Sequence, residues 1–356
     1  MSHPAPDVTV VVCTYNRAGL LRDALASLFA LATDGRFTYE VLVVDNGSTD
    51  DTPAAVAEAA RAAPIPFRSV RETVQGVAAA RNRGIRETVA PWIAYFDDDQ
   101  IADRRWLAEL MAFAAEKRAL CVGGANRLML PAAAPADLAP VCRWMLGETM
   151  GGAEPCRAVG RLAPGAGNLL IHRSVFDRVG VFDGSLKTAG EDGELFRRVE
   201  AAGVEAWYTP RALMYHVVPG FRARAGYLRW KSLGCGRLRA ERDGERGALR
   251  VAGTAAARLA HAALVAVPRL AWFRLRGRTG AALGDACLAW RAWGYFRTAL
   301  RLIAPRLFPQ RGFMERLEHR SERTLFAEAA EPGPHASAPV AATWEVPGSS
   351  VPSSGF

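Results

Sequence analysis

Cysteine is scarce: six residues in 356, at positions 13, 121, 142, 156, 235 and 287. No two form a CxxC pair, which argues against a zinc ribbon. A disulfide framework belongs to short chains with little core. Here half of the residues are hydrophobic, so a large core is available and reduced thiols in a cytosolic protein are expected. Long apolar runs are missing too. No uninterrupted stretch reaches the roughly 18 residues that a membrane-spanning helix requires. The nearest, "LAHAALVAVPRLAWF" at 259–273, is short and broken by Pro268 and Arg269. The opening "MSHPAPDVTVVVCTYNR" has no basic leader and only a short apolar run, so no signal peptide is read there. No internal repeat is visible.

Arginine is abundant, and it is unevenly placed. The formal net charge is +9. Residues 1–219 carry 23 basic and 26 acidic side chains, whereas 220–326 carry 22 basic and 7 acidic, Arg supplying 21 of those 22. The last thirty residues hold three acidic side chains and no Lys or Arg. Three regions follow. Residues 1–219 form a near-neutral globular part, 220–326 a basic helical extension, and 327–356 a tail with the composition of disordered chain.

In the first region, apolar runs alternate with helical periods. "VTVVVCTY" is a continuous β-branched run, as in a strand buried on both faces. "AGLLRDALASLFAL" then has helical spacing. "YEVLVVDNGSTDDT" repeats the design, with Asp51 or Thr52 and Pro53 starting the helix "PAAVAEAARAA". "FRSVRE" is a weaker strand, "GVAAARNRGIRET" a small-residue helix and "WIAYFDDD" a fourth strand. Such alternation implies crossovers and a parallel sheet, with ligands at the carboxyl ends of its strands. Beyond residue 101 the expected elements are a helix in "DRRWLAELMAFAAEK", a strand in "ALCVGGANRLML" and an exposed loop in "PAAAPADLAP". A strand and helix follow in "GAGNLLIHRSVFDRVGVFD", then the helix "GEDGELFRRVEAAG" closed by Gly203. "EAWYTPRALMYHVVP" reads as two short strands.

Polar residues gather where chemistry needs them. Asp97, Asp98 and Asp99 repel one another unless a cation sits among them. Strand alternation would turn Asp97 and Asp99 to one side, a hard-oxygen pair suited to Mg2+ or Mn2+; a solvated turn is the other reading. Asp45 ends the second strand, placed to meet a ribose or base, or merely to start the turn "DNGSTDD". Glu191, Asp192 and Glu194 stand at a helix start, as caps or as a general base. "PGAGNLLIHR" sets Gly167 and Asn168 before a strand, as a substrate loop or a tight turn. Arg81 and Arg83 suit phosphates or the plain surface. His216 is a lone histidine, more often structural than a ligand.

Taken in order, "VTVVVCTYNRAGLLRDALASL", "YEVLVVDNGSTDDT", "GVAAARNRGI", "WIAYFDDDQ", "GAGNLLIHRSVFDRVGVFD" and "GEDGELFRRV" resemble the inverting nucleotide-sugar glycosyltransferases of family two. The resemblance covers roughly residues 7–219. It implies an α/β protein of the GT-A fold, Rossmann-like, with a mostly parallel central sheet flanked by helices. It implies that Thr14, Tyr15, Asn16 and Arg17 line the donor cleft with Arg81, and that Asp45 contacts base and ribose. Asp97 would serve the ribose, Asp98 would support it at the variable position, and Asp99 would hold Mn2+ or Mg2+ with His216 nearby. Asp192 matches the catalytic base. Glu191, with Gly167 and Asn168, would shape the acceptor site. The donor is by default a UDP-sugar, and the acceptor a glycan or lipid-linked hydroxyl. No QxxRxxR signature follows Asp192 and multiple spans are absent, which points to single-sugar transfer.

The basic extension mixes Arg with Trp, Tyr and Phe in "GYLRWKSLGCGRLRAERDG" and "LAWRAWGYFRTALRLIAPRLF", where Trp293, Phe296 and Leu300 share a helical face. It reads equally as a helical cap on the core or as a surface for anionic lipid at the inner face of the membrane. Nucleic-acid binding is the rival from another class; no reader motif accompanies the charge, so none is expected. A nucleotidyltransferase would open on a Gly-rich, Lys- or Arg-bearing loop where this chain has "CTYNRAGL". An inactive binder is disfavoured by intact carboxylates at 45, 97, 99 and 192.

Overall fold

The first β-branched run becomes β1 (Val8–Thr14), with Val8, Val10, Val11 and Val12 wholly shielded from solvent. The computed structural model describes residues 5–159, 164–186 and 190–308. The end of the extension and the tail at 327–356 lie outside the described residues. β2 (Tyr39–Asp45), β3 (Phe67–Arg71) and β4 (Trp92–Asp97) pair in parallel in the order β3-β2-β1-β4. The helices α1 (Ala18–Phe29), α2 (Thr52–Ala62) and α3 (Val77–Glu87) make the crossovers. Alternate residues of β1 divide the core. Val8, Val10 and Val12 meet α1 and α4 (Trp106–Lys117) on one face; Val11 meets α3, α6 (Arg173–Val179) and α7 (Glu191–Ala201) on the other.

Beyond β4 the sheet is mixed. β8 (Asn168–His172) runs antiparallel to β4 and to β6 (Cys121–Met129), and β6 pairs in parallel with β9 (Ala206–Val217). Two strands too short to carry a period complete it: β5 (Gln100–Ala102) and β7 (Cys156–Arg157), both antiparallel to β9. The two strands expected in 205–219 are one. Its pairing jumps from Tyr208 opposite Gly123 to Leu213 opposite Ala125. The bulge takes up Pro210, which has no N–H for a ladder. The loop expected at 131–140 closes on a short helix, α5 (Pro140–Met145), with Leu138 buried. Asp51 stands at the N-cap of α2 without a side-chain bond; Asp50 Oδ1 accepts from the Thr52 N–H instead, at 3.0 Å.

The extension is helical, with α8 (Ala225–Gly244), α9 (Ala248–His261), α10 (Val267–Leu275) and α11 (Thr279–Ile303). It shares a core with the sheet domain through Leu138, Cys142, Met145, Val218, Leu228 and Cys287. α8 and α11 cross at backbone contact. A Cβ on Gly236 would lie 2.3 Å from the Arg291 carbonyl oxygen, and one on Gly294 2.4 Å from that of Leu233. Pro268 interrupts the apolar run but not the helix. A π-helical turn at Ala262–Ala266 leads α9 into α10, absorbing the hydrogen bond that proline cannot donate. The helical path therefore runs from Ala248 to Leu275, 28 residues, long and apolar enough by composition to cross a membrane.

Candidate active site

Parallel register sets Thr14 opposite Asp45 and Cys13 opposite Asp97, so β1, β2 and β4 end along one rim. Asn16 adopts a left-handed backbone, φ 51°, and ties two rim loops together. Its Oδ1 accepts from the Thr49 N–H at 2.7 Å, and its own N–H donates to Ser48 Oγ at 2.9 Å. Asp45 Oδ1 accepts from the Ser48 N–H at 2.9 Å. Asn16 and Asp45 thus shape the loops between them, and Tyr15 stands partly exposed on the rim.

The aspartate triplet does not alternate as expected, because β4 ends at Asp97 and the chain turns. Asp98 and Asp99 share one cation: Arg17 Nη1 lies 2.6 Å from Asp98 and 3.0 Å from Asp99. Asp98 is buried and also accepts from Thr14 Oγ1 at 2.8 Å, so Thr14 and Asp98 brace the rim from beneath. Asp97 turns toward Arg81, 3.4 Å away. Gly167 passes so close that a Cβ there would overlap Asp97 Oδ2. Asp99 Oδ2 also meets Arg222 Nη1 at 3.4 Å and His216 Nε2 at 3.5 Å. Burial opposes a charge on Asp99. The His216 hydrogen bond and the charges of Arg17, His216 and Arg222 outweigh it and hold the carboxyl far below the usual range.

Arg81, buried in α3, joins the triplet to α7. It pairs with Glu191 as well as Asp97 and lies 5.6 Å over the Phe182 ring. Glu191 is buried, and its Oε2 finds no hydrogen-bond partner among the described residues. Asp192 stands in the first turn of α7 within electrostatic reach of Arg81; a Cβ on Gly165 would sit 3.7 Å from its Oδ2. Glu194 is taken by Arg198 along the helix. Arg83 turns away to Glu87 at 2.8 Å, not toward the rim.

Asn168 needs correction. It is buried, its Oδ1 accepts from Trp106 Nε1 at 2.8 Å, and its amide donates to the Ala125 carbonyl and Asn126 Oδ1. Its polar atoms are spent inside the core, leaving no hydrogen bond for an acceptor. Two residues at the site went unread in the sequence. Gln100 Oε1 accepts from the Asp97 N–H at 3.0 Å. Arg222 lies past residue 219, where the family resemblance stops; the signal for it was an Arg two residues after the Gly220 that follows a strand.

A divalent ion fits here in a limited way. Among the described residues no three His, Cys, Asp or Glu side chains converge to hold a metal. Asp99 and His216 do offer an oxygen and a nitrogen donor side by side. His216 Nδ1 donates to the Leu146 carbonyl at 2.8 Å, which turns Nε2 toward Asp99; a metal ion held there would take the place of the Nε2 proton. Arg17 and Arg222 already stand on Asp99 Oδ2, so a metal ion there must share that oxygen with two guanidinium groups. Two protein ligands with water and substrate oxygens are the usual arrangement for such ions beside phosphates.

Residues 9–128 match the model of glycosyl transferase family 2. Over those residues the chain is similar to the family 2 glycosyltransferases. Its relatives include the succinoglycan biosynthesis protein ExoM of Rhizobium meliloti, 29% identical over 62% of this chain and 70% of that protein. A second is the pre-mycofactocin glycosyltransferase of Mycobacterium tuberculosis, 29% identical over 61% of this chain and 45% of the relative. The match to succinoglycan biosynthesis protein ExoO of Rhizobium meliloti is 44% identical but covers only 26% of each chain. Among solved structures, the mannosyltransferase PcManGT from Pyrobaculum calidifontis in complex with GDP-Man and Mn2+ is 21% identical, with a TM-score of 0.49, over 92% of this chain and 82% of that one. The family 2 match spans the strands that carry Thr14, Asp45 and the aspartate triplet, while α7 and Arg222 lie beyond it.

Proposed function

We propose that this family 2 domain transfers a single sugar from a nucleoside-diphosphate sugar to a hydroxyl group, with inversion at the anomeric carbon. The observation that carries the reading is the arginine-linked array of carboxylates. Arg81 ties Asp97 to the start of α7, where Asp192 stands, and Arg17 and Arg222 ring Asp99. Positive side chains there suit a diphosphate, and Asp45 at the end of β2 suits the ribose or base. Asp192 accepts the proton of the attacking hydroxyl. The hydroxyl oxygen displaces the diphosphate from the opposite face of the sugar, so no enzyme nucleophile is required. Asp99 and His216 would hold Mn2+ or Mg2+, which when bound offsets the charge of the leaving diphosphate. ExoM is named for succinoglycan biosynthesis, which supports a glycan or lipid-linked acceptor of the cell envelope. A UDP-sugar is the first donor to try.

The test is release of nucleoside diphosphate from a panel of UDP- and GDP-sugars, with Mn2+, with Mg2+ and with chelator. The product's anomeric configuration is read by NMR. Asp192→Asn should keep donor binding in a thermal-shift assay while turnover drops by about 10²–10⁴. Unchanged turnover would remove Asp192 as the base.

A further inference from the structure

The outer face of α9 and α10 is covered by no other described part of the chain. Val251, Ala255, Ala262 and Ala266 are buried, and α9 packs on α11 through the cluster around Tyr295. Arg258 folds inward, 4.9 Å over the Tyr295 ring. The opposite side exposes Ala256, Ala260, Leu264 (77%), Val267 (49%) and Trp272 (53%). Between Arg250 and Arg269 the only exposed ionisable side chain is His261. At about 1.5 Å per residue this apolar stripe runs for roughly 25 Å, more than a soluble surface ordinarily leaves uncovered.

Both ends of the stripe are cationic. Arg246 and Arg250 are exposed at one end, and Arg269, Arg274, Arg276 and Arg278 at the other. Arg276 lies 4.3 Å over the Trp272 ring, and Arg278 lies 5.2 Å over Phe273. Aromatic rings stacked with arginine, on either side of an apolar helical face, match the headgroup layer of a bilayer.

We propose that the outer face of α9 and α10 docks this enzyme flat on an anionic phospholipid bilayer, with Leu264, Val267 and Trp272 at the acyl boundary. Flat docking keeps the packing of α9 on α11; a spanning orientation would strip Val251, Ala255 and Arg258 from that interface. The surface differs from the face with Trp293, Phe296 and Leu300 singled out in the sequence, since Phe296 packs against the α9–α11 core. The proposal does not depend on the donor or the reaction.

The full chain is sedimented with phosphatidylcholine vesicles, with and without phosphatidylglycerol. Binding is expected to require phosphatidylglycerol, to weaken with salt and to release in alkaline carbonate. Leu264→Asp with Val267→Asp alters only exposed positions and should reduce binding about tenfold or more, with the thermal unfolding midpoint unchanged. Arg274→Glu with Arg276→Glu should lose the phosphatidylglycerol preference. The proposal is overturned if the wild-type chain stays in the supernatant, binds both vesicles equally or resists carbonate. It is likewise overturned if the aspartate pair binds as well as wild type, or merely dissolves a dimer seen without lipid.

Discussion

Arg81 is either a phosphate contact or an internal clamp, and one substitution separates the two. Its side chain is 8% exposed and that of its partner Glu191 7%, so Arg81→Met leaves a carboxylate buried without a cation. Breaking a buried pair from one side costs about 3–5 kcal/mol. Asp97 adds little, because its side chain is 39% exposed and water screens the loss. Leaving the Phe182 ring adds about 1 kcal/mol. Arg81→Met should therefore lose about 4 kcal/mol in guanidinium denaturation, with the slope against denaturant unchanged. The double variant Arg81→Met/Glu191→Met should lose less than Arg81→Met alone, since apolar side chains can replace both buried ions at little cost. A coupling of about 2 kcal/mol or more is expected. Losses that simply add, or a loss below about 1 kcal/mol for Arg81→Met, would refute the clamp and return Arg81 to the ligand.

Three more outcomes follow from single contacts. Asp99→Ala removes the carboxylate beside His216 and should weaken Mn2+-dependent donor binding about tenfold or more, read as loss of the metal-dependent thermal shift; an undiminished shift would place the metal elsewhere. Gly84→Ala drives a Cβ to 2.5 Å from Val11 Cγ1 where α3 lies on β1, and should cost about 1–3 kcal/mol in the same denaturation assay. Glu40 is opposed by burial, but bonds from Arg68 and Thr9 outweigh it and hold its carboxyl below the usual 4.5. A lowered folded-state pKa gives stability that is present above about pH 4.5 and lost as pH falls through the lower value. Glu40→Gln should flatten that acid limb, and a limb of unchanged slope would assign it to other carboxylates.

Strands β1, β2 and β4 were legible because a parallel strand covered on both faces leaves no polar side to interrupt its apolar run. β5 and β7, three and two residues long, are too short to show any period and form only because β9 offers a partner edge. β9 itself looked like two strands because Pro210 marks a real break in pairing; what local sequence cannot show is that the backbone bulges and resumes beside the same neighbour. Pro268 interrupts the apolar run without ending the helix. Its cost to a helix is local, and α11 alongside both segments supplies packing to offset it.

The acidic half of the site was legible; of the cationic half, Arg17 and Arg81 were named without their carboxylate partners, and Arg222 was not read. Asp45 and the triplet follow strand ends, a position fixed by short-range pattern. Their counter-charges come from 81, 16 and 123 residues away, as in Arg17 to Asp98, Arg81 to Asp97 and Arg222 to Asp99. Like-charge repulsion says that a cation must be present but not which of 45 basic side chains supplies it. Asn168 shows the converse: a polar residue in a Gly-rich stretch looks like a ligand contact until Trp106 is seen to claim it. These pairings also bear on how the proposed substrate enters. Four carboxylates, at 97, 98, 99 and 191, face the three guanidinium groups of Arg17, Arg81 and Arg222, which leaves the pocket close to neutral. A doubly charged cation alone meets Arg17 and Arg222 on the same oxygen, and a diphosphate alone meets the carboxylates. Entering together, they cancel, so the clamp favours joint arrival of metal and donor over either one first, and each should raise the affinity for the other by the same factor.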